Sequence, residues 1–327
     1  MSDSGQLQSM VETALQDRLQ QWKHKKPESL YAPVCYAMGA GGKRLRPLLV
    51  LLGYQLFGDH PGEALPAALA VEVFHNFTLL HDDIMDKAEI RRNQPAVHRR
   101  FSENHAILSG DVMAFIAYQL LLETRNDRFG DIAGLFTQTA VEICEGQQFD
   151  MDFETRTDVT VEEYLEMIRL KTAVLLACAL KTGSLLGGAD EAGANQMYED
   201  GINLGFAFQL QDDYLDTYGD ESAFGKKIGG DIISGKKTFL LTAALRRAGE
   251  EERQELLRWL EDKNAPANEK VNAVKSVFNR LKIGELAQHQ INRYHMKATG
   301  LIEMLGVDPS RKQPLIRQCE MLIKRQN

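Results

Sequence analysis

Apolar residues recur along this chain at helical intervals, over stretches too long for strands. "PLLVLLGYQLF", "AALAVEVFHNFTLL", "VMAFIAYQLLLETR", "IAGLFTQTAVEICEGQQF", "VEEYLEMIRLKTAVLLACALKTGSLLG" and "YEDGINLGFAFQLQDDYLD" all carry that spacing. They use Leu, Ala, Met and Gln rather than alternating β-branched residues, so each predicts a helix. A segment such as "LLACALKTGSLLG" is apolar around most of its circumference, which places it inside other helices. Only nine prolines interrupt the chain, several beside expected helix boundaries, among them Pro47, Pro61 and Pro95. Gly-rich connectors ("GAGGKRLRP", "SLLGGADEAGA", "GKKIGGDIISGKK") join the segments. The pattern holds no hairpin signal, linker or low-complexity tract. The expectation is a single all-α domain over residues 1–327, a large helical bundle with a central cavity where facing helices can carry metal ligands.

Composition narrows the classes of partner. An apolar fraction of 44% in 327 residues is ample for a sizeable core. A formal net charge of -8 argues against nucleic acid as a partner, because such binders present a basic face. Cys35, Cys144, Cys178 and Cys319 are scattered without metal-ligand spacing and read as reduced core thiols of a cytoplasmic protein. The opening "MSDSGQLQSMVETALQDRLQQW" reads as an amphipathic helix rather than a signal peptide. No uninterrupted apolar run approaches the ~20 residues that span a bilayer, so no transmembrane segment is expected.

The chemistry lies in two acidic motifs. "FTLLHDDIMD" ends an apolar run in Asp82, Asp83 and Asp86, and "FAFQLQDDYLD" repeats the spacing at Asp212, Asp213 and Asp216. On a helix, positions i, i+1 and i+4 lie within about one turn, so each motif gathers its carboxylates in one patch. Like charges held that close raise one another's pKa values, and a cation removes the penalty. All-oxygen ligands select hard ions, and Mg²⁺ commonly joins one or two carboxylates to substrate phosphates. Two such patches facing across a cavity would hold a cluster of about three Mg²⁺ ions around a diphosphate. One acidic triplet alone is usually a solvated helix end, but a second copy on a matching apolar helix argues against that. Arg91 and Arg92 follow the first motif, while Lys43, Arg46, Lys226 and Lys236 sit in the glycine-flanked connectors, placed to counter phosphate.

At this point the sequence resembles the trans-isoprenyl diphosphate synthases, the farnesyl and geranylgeranyl diphosphate synthase family. The likeness runs from about Gly39 to Lys237 and includes "GGKRLRP", "HDDIMD…RR", "EGQQFDMD", "LKTAVL", "FAFQLQDDYLD" and "GKKIGGD" in the family's order. It implies the isoprenoid synthase fold, a homodimer, and a prenyltransferase that extends allylic diphosphates with isopentenyl diphosphate. Asp82 and Asp86 match Mg²⁺ ligands supported by Asp83; Asp212 matches the principal ligand of the second motif, with Asp213 and Asp216 closing the patch. Lys43, Arg46, His75 and Arg92 match the isopentenyl diphosphate site. Arg91, Lys171, Thr172, Gln209, Lys226 and Lys236 match the allylic site, with Lys227 and Lys237 as alternatives for the two lysine roles. Lys171, Thr172, Gln209 and Lys226 also serve the ionisation step, in which a dry cavity protects a carbocation. Asp150 and Asp152 stay outside the assignment, as surface charges or as hydrogen-bonding groups behind the site.

Product length is read upstream of Asp82. From the helical rise, Thr78 lies about 6 Å deeper, Phe77 about 7.5 Å and Phe74 about 12 Å. A ring at that depth forms a floor, while Thr78 leaves space. A short first motif with Phe77 as the single aromatic in the fourth and fifth upstream positions resembles the archaeal-type geranylgeranyl pattern. The expected product has twenty carbons, with the fifteen-carbon farnesyl product as the alternative. A terpene cyclase or a non-catalytic partner subunit is the rival from another class.

Overall fold

A computed structural model describes residues 3–219, 228–262 and 264–323. These residues form two compact units, and the architecture is all-α, as the periodicity predicts.

The first unit takes in described residues of 1–135, 179–197 and 307–315. Its helices are α1 (Asp3–Lys23), α2 (Glu28–Gly39), α3 (Leu45–Phe57), α4 (Leu65–Met85), the one-turn α5 (Val97–Arg100) and α6 (Glu103–Leu122). The central pair is α4 with α6; α3 packs on α4, α2 on α6, and α1 on α2 and α3. From Ala67 to Phe74 every residue of α4 is buried, so this helix is the unit's apolar axis. By length and composition α6 could cross a membrane. Here it covers α4 and α2 with Ala106, Met113, Ile116, Ala117, Leu120 and Leu121 buried, while Leu108, Phe115 and Leu122 stay exposed.

The second unit takes in described residues of 136–178, 198–306 and 316–323. It draws on α7 (Phe129–Glu154), α8 (Val161–Ile168), a π-turn (Arg169–Ala173), α9 (Val174–Leu186) and α10 (Glu191–Tyr218). After these come α11 (Gly230–Ser234), α12 (Phe239–Arg247), α13 (Glu250–Glu261), α14 (Ala267–Arg280), α15 (Ile283–Met304) and α16 (Pro309–Ile323). Thr160 and Glu163 close a reciprocal capping box that starts α8. Its buried Tyr164, Met167 and Ile168 join Phe239, Leu240, Val277, Phe278 and Ile283 in one core. The short apolar α12 is the hub, packed by α8, α14 and α15.

Three local features depart from the sequence reading. Residues Ile90–Arg91 and Gln94–Pro95 pair as a minimal antiparallel hairpin, where none was expected. Its two-residue turn places Arg92 (φ 51°) and Asn93 (φ 60°) in the left-handed region, without the Asn-Gly signature that announces such turns. The continuous helix expected across "IRLKTAVL" is broken into α8 and α9 by the π-turn. Cys178 and Cys319 are buried, but Cys35 is half-buried and Cys144 exposed, where four core thiols were expected.

Candidate active site

The loop between α2 and α3 is built for close approach. Gly41 (φ 80°) and Gly42 (φ 134°) take backbone conformations that side chains disfavour. A Cβ on Gly42 would lie 2.9 Å from the Arg92 guanidinium carbon, so glycine lets the hairpin close on this loop. Lys43 is exposed on it, and Arg44, with φ 46°, begins α3. Arg46 follows within the first turn and places Nη1 3.0 Å from His75 Nε2 on α4. An arginine can only donate, so the imidazole accepts at Nε2 and carries its proton on Nδ1. Burial pushes the His75 pKa well below its ordinary value, and the charges of Arg46, Arg92, Arg91 and Arg44 push it the same way. His75 is therefore neutral at pH 7, with Arg46 hydrogen-bonded to it and Arg92 reaching Asn76 on the same helix, while Arg44 is tied to buried Glu72 and Arg91 to Asp83. That is an anion-binding cradle.

The first acidic motif occupies the last turn of α4. Asp83 is buried and takes Arg91 Nε at 2.9 Å and Nη2 of the same arginine on Oδ1. Burial is the largest influence on Asp83 and raises its pKa, while Arg91 pulls it down. Asp82 keeps partial exposure, with Oδ2 3.7 Å from Arg91 Nη2, and Asp86 is exposed at the helix end. Burial works to lower the Arg91 pKa, but Asp83, Asp82 and Asp86 together raise it, so this arginine faces the whole motif. Upstream, the Phe74 and Phe77 rings meet edge-to-face at 5.3 Å, and Phe77 meets the His81 ring at 4.8 Å. Thr78 turns its hydroxyl back to the His75 carbonyl at 2.8 Å.

In the second unit the other motif sorts its carboxylates the same way. Asp213 is buried and accepts from Tyr164 Oη at 2.5 Å, Gln209 Nε2 at 3.1 Å and the Phe239 backbone N–H at 3.2 Å. Burial raises its pKa against the pull of those donors. Asp212 and Asp216 are partly exposed, and Asp216 Oδ2 accepts from the Asp231 backbone N–H at 3.0 Å. Thr172 Oγ1 donates to Gln209 Oε1 at 3.1 Å, which joins two sequence-predicted residues to Asp213 in one chain. Lys171 Nζ donates to Asp150 Oδ2 at 2.6 Å. Both Lys171 and Thr172 lie on the π-turn, whose extra residue re-aims their side chains relative to a regular helix. Gly146 of α7 permits this: a Cβ there would lie 2.3 Å from the Lys171 backbone nitrogen.

Lys226 and its alternative Lys227 lie outside the described residues. Lys236 is described, and its charge lowers the pKa of Asp231, which burial, Asp213 and Asp216 raise. Asp231, Tyr164 and Asp150 beside the second motif, and Arg44 near the first, are groups that sequence reading left out of the site. Asp231 was visible within "GKKIGGD" but carries no repeat of the aspartate spacing, and Tyr164 comes from a separate helix.

The donor set fits Mg²⁺. Among the described residues no three His, Cys, Asp or Glu side chains form a ready metal cage. A cage is not required, because Mg²⁺ keeps waters and uses one or two carboxylates with substrate phosphates. Each motif offers two carboxylates that keep at least partial exposure four residues apart, Asp82 with Asp86 and Asp212 with Asp216, beside a third held by hydrogen bonds.

A predominantly helical protein with anion-binding arginines and two acidic helix segments of one design is suited to bind diphosphate groups with Mg²⁺. The family model for polyprenyl synthetases matches residues 27–279, and the chain belongs to that family. It is a prenyltransferase. It is 46% identical over 224 residues to the geranylgeranyl diphosphate synthase of Methanosarcina mazei, covering 68% of this chain and 69% of the relative. A geranylgeranyl pyrophosphate synthase of Geoglobus acetivorans is 36% identical over 305 residues, 93% of each chain. A crystal structure of a geranylgeranyl pyrophosphate synthase superimposes with a TM-score of 0.92 at 42% identity, covering 100% of both chains.

Proposed function

We propose that this chain condenses isopentenyl diphosphate head-to-tail with dimethylallyl, geranyl and farnesyl diphosphates, releasing diphosphate and ending at geranylgeranyl diphosphate. The observation that carries this reading is Arg46 Nη1 3.0 Å from His75 Nε2 and Arg92 Nη1 3.2 Å from Asn76 Oδ1, both on the helix that ends in Asp82, Asp83 and Asp86. It supplies an anion site for a second substrate, in addition to the carboxylates suited to a metal-bound leaving group.

Asp82, Asp86, Asp212 and Asp216 would hold Mg²⁺, with Asp83 and Asp213 fixing the geometry of their motifs. Mg²⁺, when bound, supplies the positive charge that stabilises diphosphate as the allylic carbon–oxygen bond ionises. Arg91, Lys171, Lys226 and Lys236 add cationic donors to the same leaving group. Thr172 and Gln209, already hydrogen-bonded to each other, present weak oxygen dipoles to the allylic cation without attacking it. Lys43, Arg46, His75 and Arg92 orient isopentenyl diphosphate so that its double bond attacks that cation. Loss of a proton to the departing diphosphate completes the step.

Phe74 and Phe77, packed edge-to-face, are the floor we assign to the growing chain, with Thr78 leaving room beside them. For the partner we assign a second copy of the chain. Leu108, Phe115 and Leu122 stand exposed (59%, 70% and 67%) at seven-residue spacing along one stripe of α6, a face suited to burial in a homodimer. The reducing cytoplasm is the expected compartment.

Incubation with labelled isopentenyl diphosphate, dimethylallyl diphosphate and Mg²⁺, followed by reversed-phase chromatography, tests the reading. Label in a twenty-carbon prenyl diphosphate is expected. A fifteen-carbon end product would move the assignment to a farnesyl synthase. A cyclised hydrocarbon formed without isopentenyl diphosphate would replace it with a cyclase.

A further inference from the structure

Arg44 and Arg92 are held by Glu72 and Asn76, two residues of α4 that the functional reading gives no role. Glu72 is 2% exposed on α4, and its Oε1 accepts from Arg44 Nη1 at 2.8 Å and from Asn76 Nδ2 at 3.0 Å. Arg44 Nη2 donates onward to the Met38 carbonyl at 2.9 Å, and Arg44 Nε reaches Glu12 Oε2 at 3.3 Å. That set pins the entrance to the loop carrying Lys43. From the other side of Glu72, Asn76 Oδ1 accepts from Arg92 Nη1 at 3.2 Å, and the same nitrogen donates to the Gly41 carbonyl. One buried carboxylate thus ties the Lys43 loop and the hairpin arginine together.

We propose that Glu72 and Asn76 are positioning residues for the isopentenyl diphosphate cradle, Glu72 acting through Arg44 on the Lys43 loop and Asn76 acting through Arg92. The inference rests on the functional reading above. Four features of the network support it. Among the described residues both anchors of Arg92 fall on Nη1, which leaves the Nε–Nη2 edge of its fork to address an anion. Glu72 is the leading charge that supports the protonated form of Arg92 against burial. Glu72, His75 and Asn76 lie within about one helical turn, so a rigid α4 sets the acceptor of Arg46 and the acceptor of Arg92 in one frame. Asn76 is an uncharged amide with both ends used: it donates to Glu72 and accepts from Arg92. Serine or alanine at this position would fill the helix equally well but could not bridge the two.

The test is a double-mutant cycle on the full chain, with Asn76→Ala, Arg92→Ala and the double variant, read as KM for each substrate separately. Asn76→Ala is expected to raise KM for isopentenyl diphosphate about tenfold, with KM for the allylic substrate changed less than about twofold. In the Arg92→Ala background the same change is expected to add nothing further, because Asn76 acts through Arg92. Equal rises for both substrates, an unchanged KM, or additive effects in the double variant would overturn the inference. If Asn76→Ala does not fold, Glu72→Gln takes its place. That variant keeps shape and one acceptor but removes the charge that holds Arg44, and it is judged by the same split between the two KM values. Normal condensation by the unaltered chain with no isopentenyl-specific effect in the variants refutes this inference alone. No condensation by the unaltered chain refutes the functional reading and this inference with it.

Discussion

Replacing Tyr164 by phenylalanine isolates one bond of the second motif. The ring volume is retained in a core position only 2% exposed, so packing against Phe239 and its neighbours is little changed. What disappears is the 2.5 Å donation to Asp213 Oδ2, which leaves that oxygen with the Phe239 N–H alone, at 3.2 Å. A hydrogen bond to a charged, buried acceptor contributes about 1.5–3 kcal/mol. The loss corresponds to roughly ten- to a hundredfold in the folding equilibrium. For a chain of this size each kcal/mol moves the midpoint by ~2 °C, so Tm falls by about 3–6 °C. The sign for Asp213 also follows: with a pKa-lowering donor gone and burial unchanged, its carboxyl pKa rises further. Because Gln209 joins Asp213 to Thr172, turnover falls as well, by about tenfold. Calorimetry and steady-state kinetics on the same preparation read both effects. A midpoint shifted by less than about 1 °C with unchanged turnover would refute the reasoning.

His75 should impose a one-sided pH dependence on stability. Its folded pKa is depressed while the unfolded chain protonates near ~6.5, so stability is full above that value and declines as pH falls below it, by up to about 1.4 kcal/mol per pH unit. Urea midpoints between pH 5 and 8 check this, and His75→Gln should remove that part of the slope. Asp200 works in the opposite sense. Its fully buried carboxyl has no hydrogen-bond partner among the described residues, and burial raises its pKa well above the usual range. The unfolded chain releases this proton near ~3.9, so stability declines as pH rises from there toward the folded pKa. Asp200→Asn should therefore raise the thermal midpoint at pH 8 more than at pH 4; equal midpoints at both would count against it.

Long helices were legible in the sequence because burial dictates their period. α3, α4, α6, α7 and α10 follow apolar repeats that one-dimensional reading detects. The acidic motifs were legible for a related reason: i, i+1, i+4 spacing converts directly into a patch on one face. The hydrogen bonds that hold the middle aspartate of each motif were not. Asp83 and Asp213 are withdrawn into hydrogen bonds by Arg91, Tyr164 and the Phe239 N–H, donors that arrive from a hairpin, α8 and α12. Such contacts depend on tertiary approach and leave no local trace. The π-turn under Lys171 is equally silent, since it follows from Gly146 letting α7 come close rather than from the composition of "RLKTA". The hairpin was missed because two-residue strands are too short for any alternation to register, and its turn uses Arg92 and Asn93. Arg44 was passed over between Lys43 and Arg46, yet it is the most deeply held of the three.

The central claim is that the outer aspartates of both motifs act on the diphosphate leaving group through bound Mg²⁺. It is tested most directly by kcat at saturating substrates for Asp82→Asn and Asp212→Asn, each first shown to retain the parent thermal midpoint. The account predicts a fall of about a thousandfold or more in either variant, the scale expected when electrostatic stabilisation of a leaving group is lost. Turnover within a few-fold of the parent in either one would contradict it.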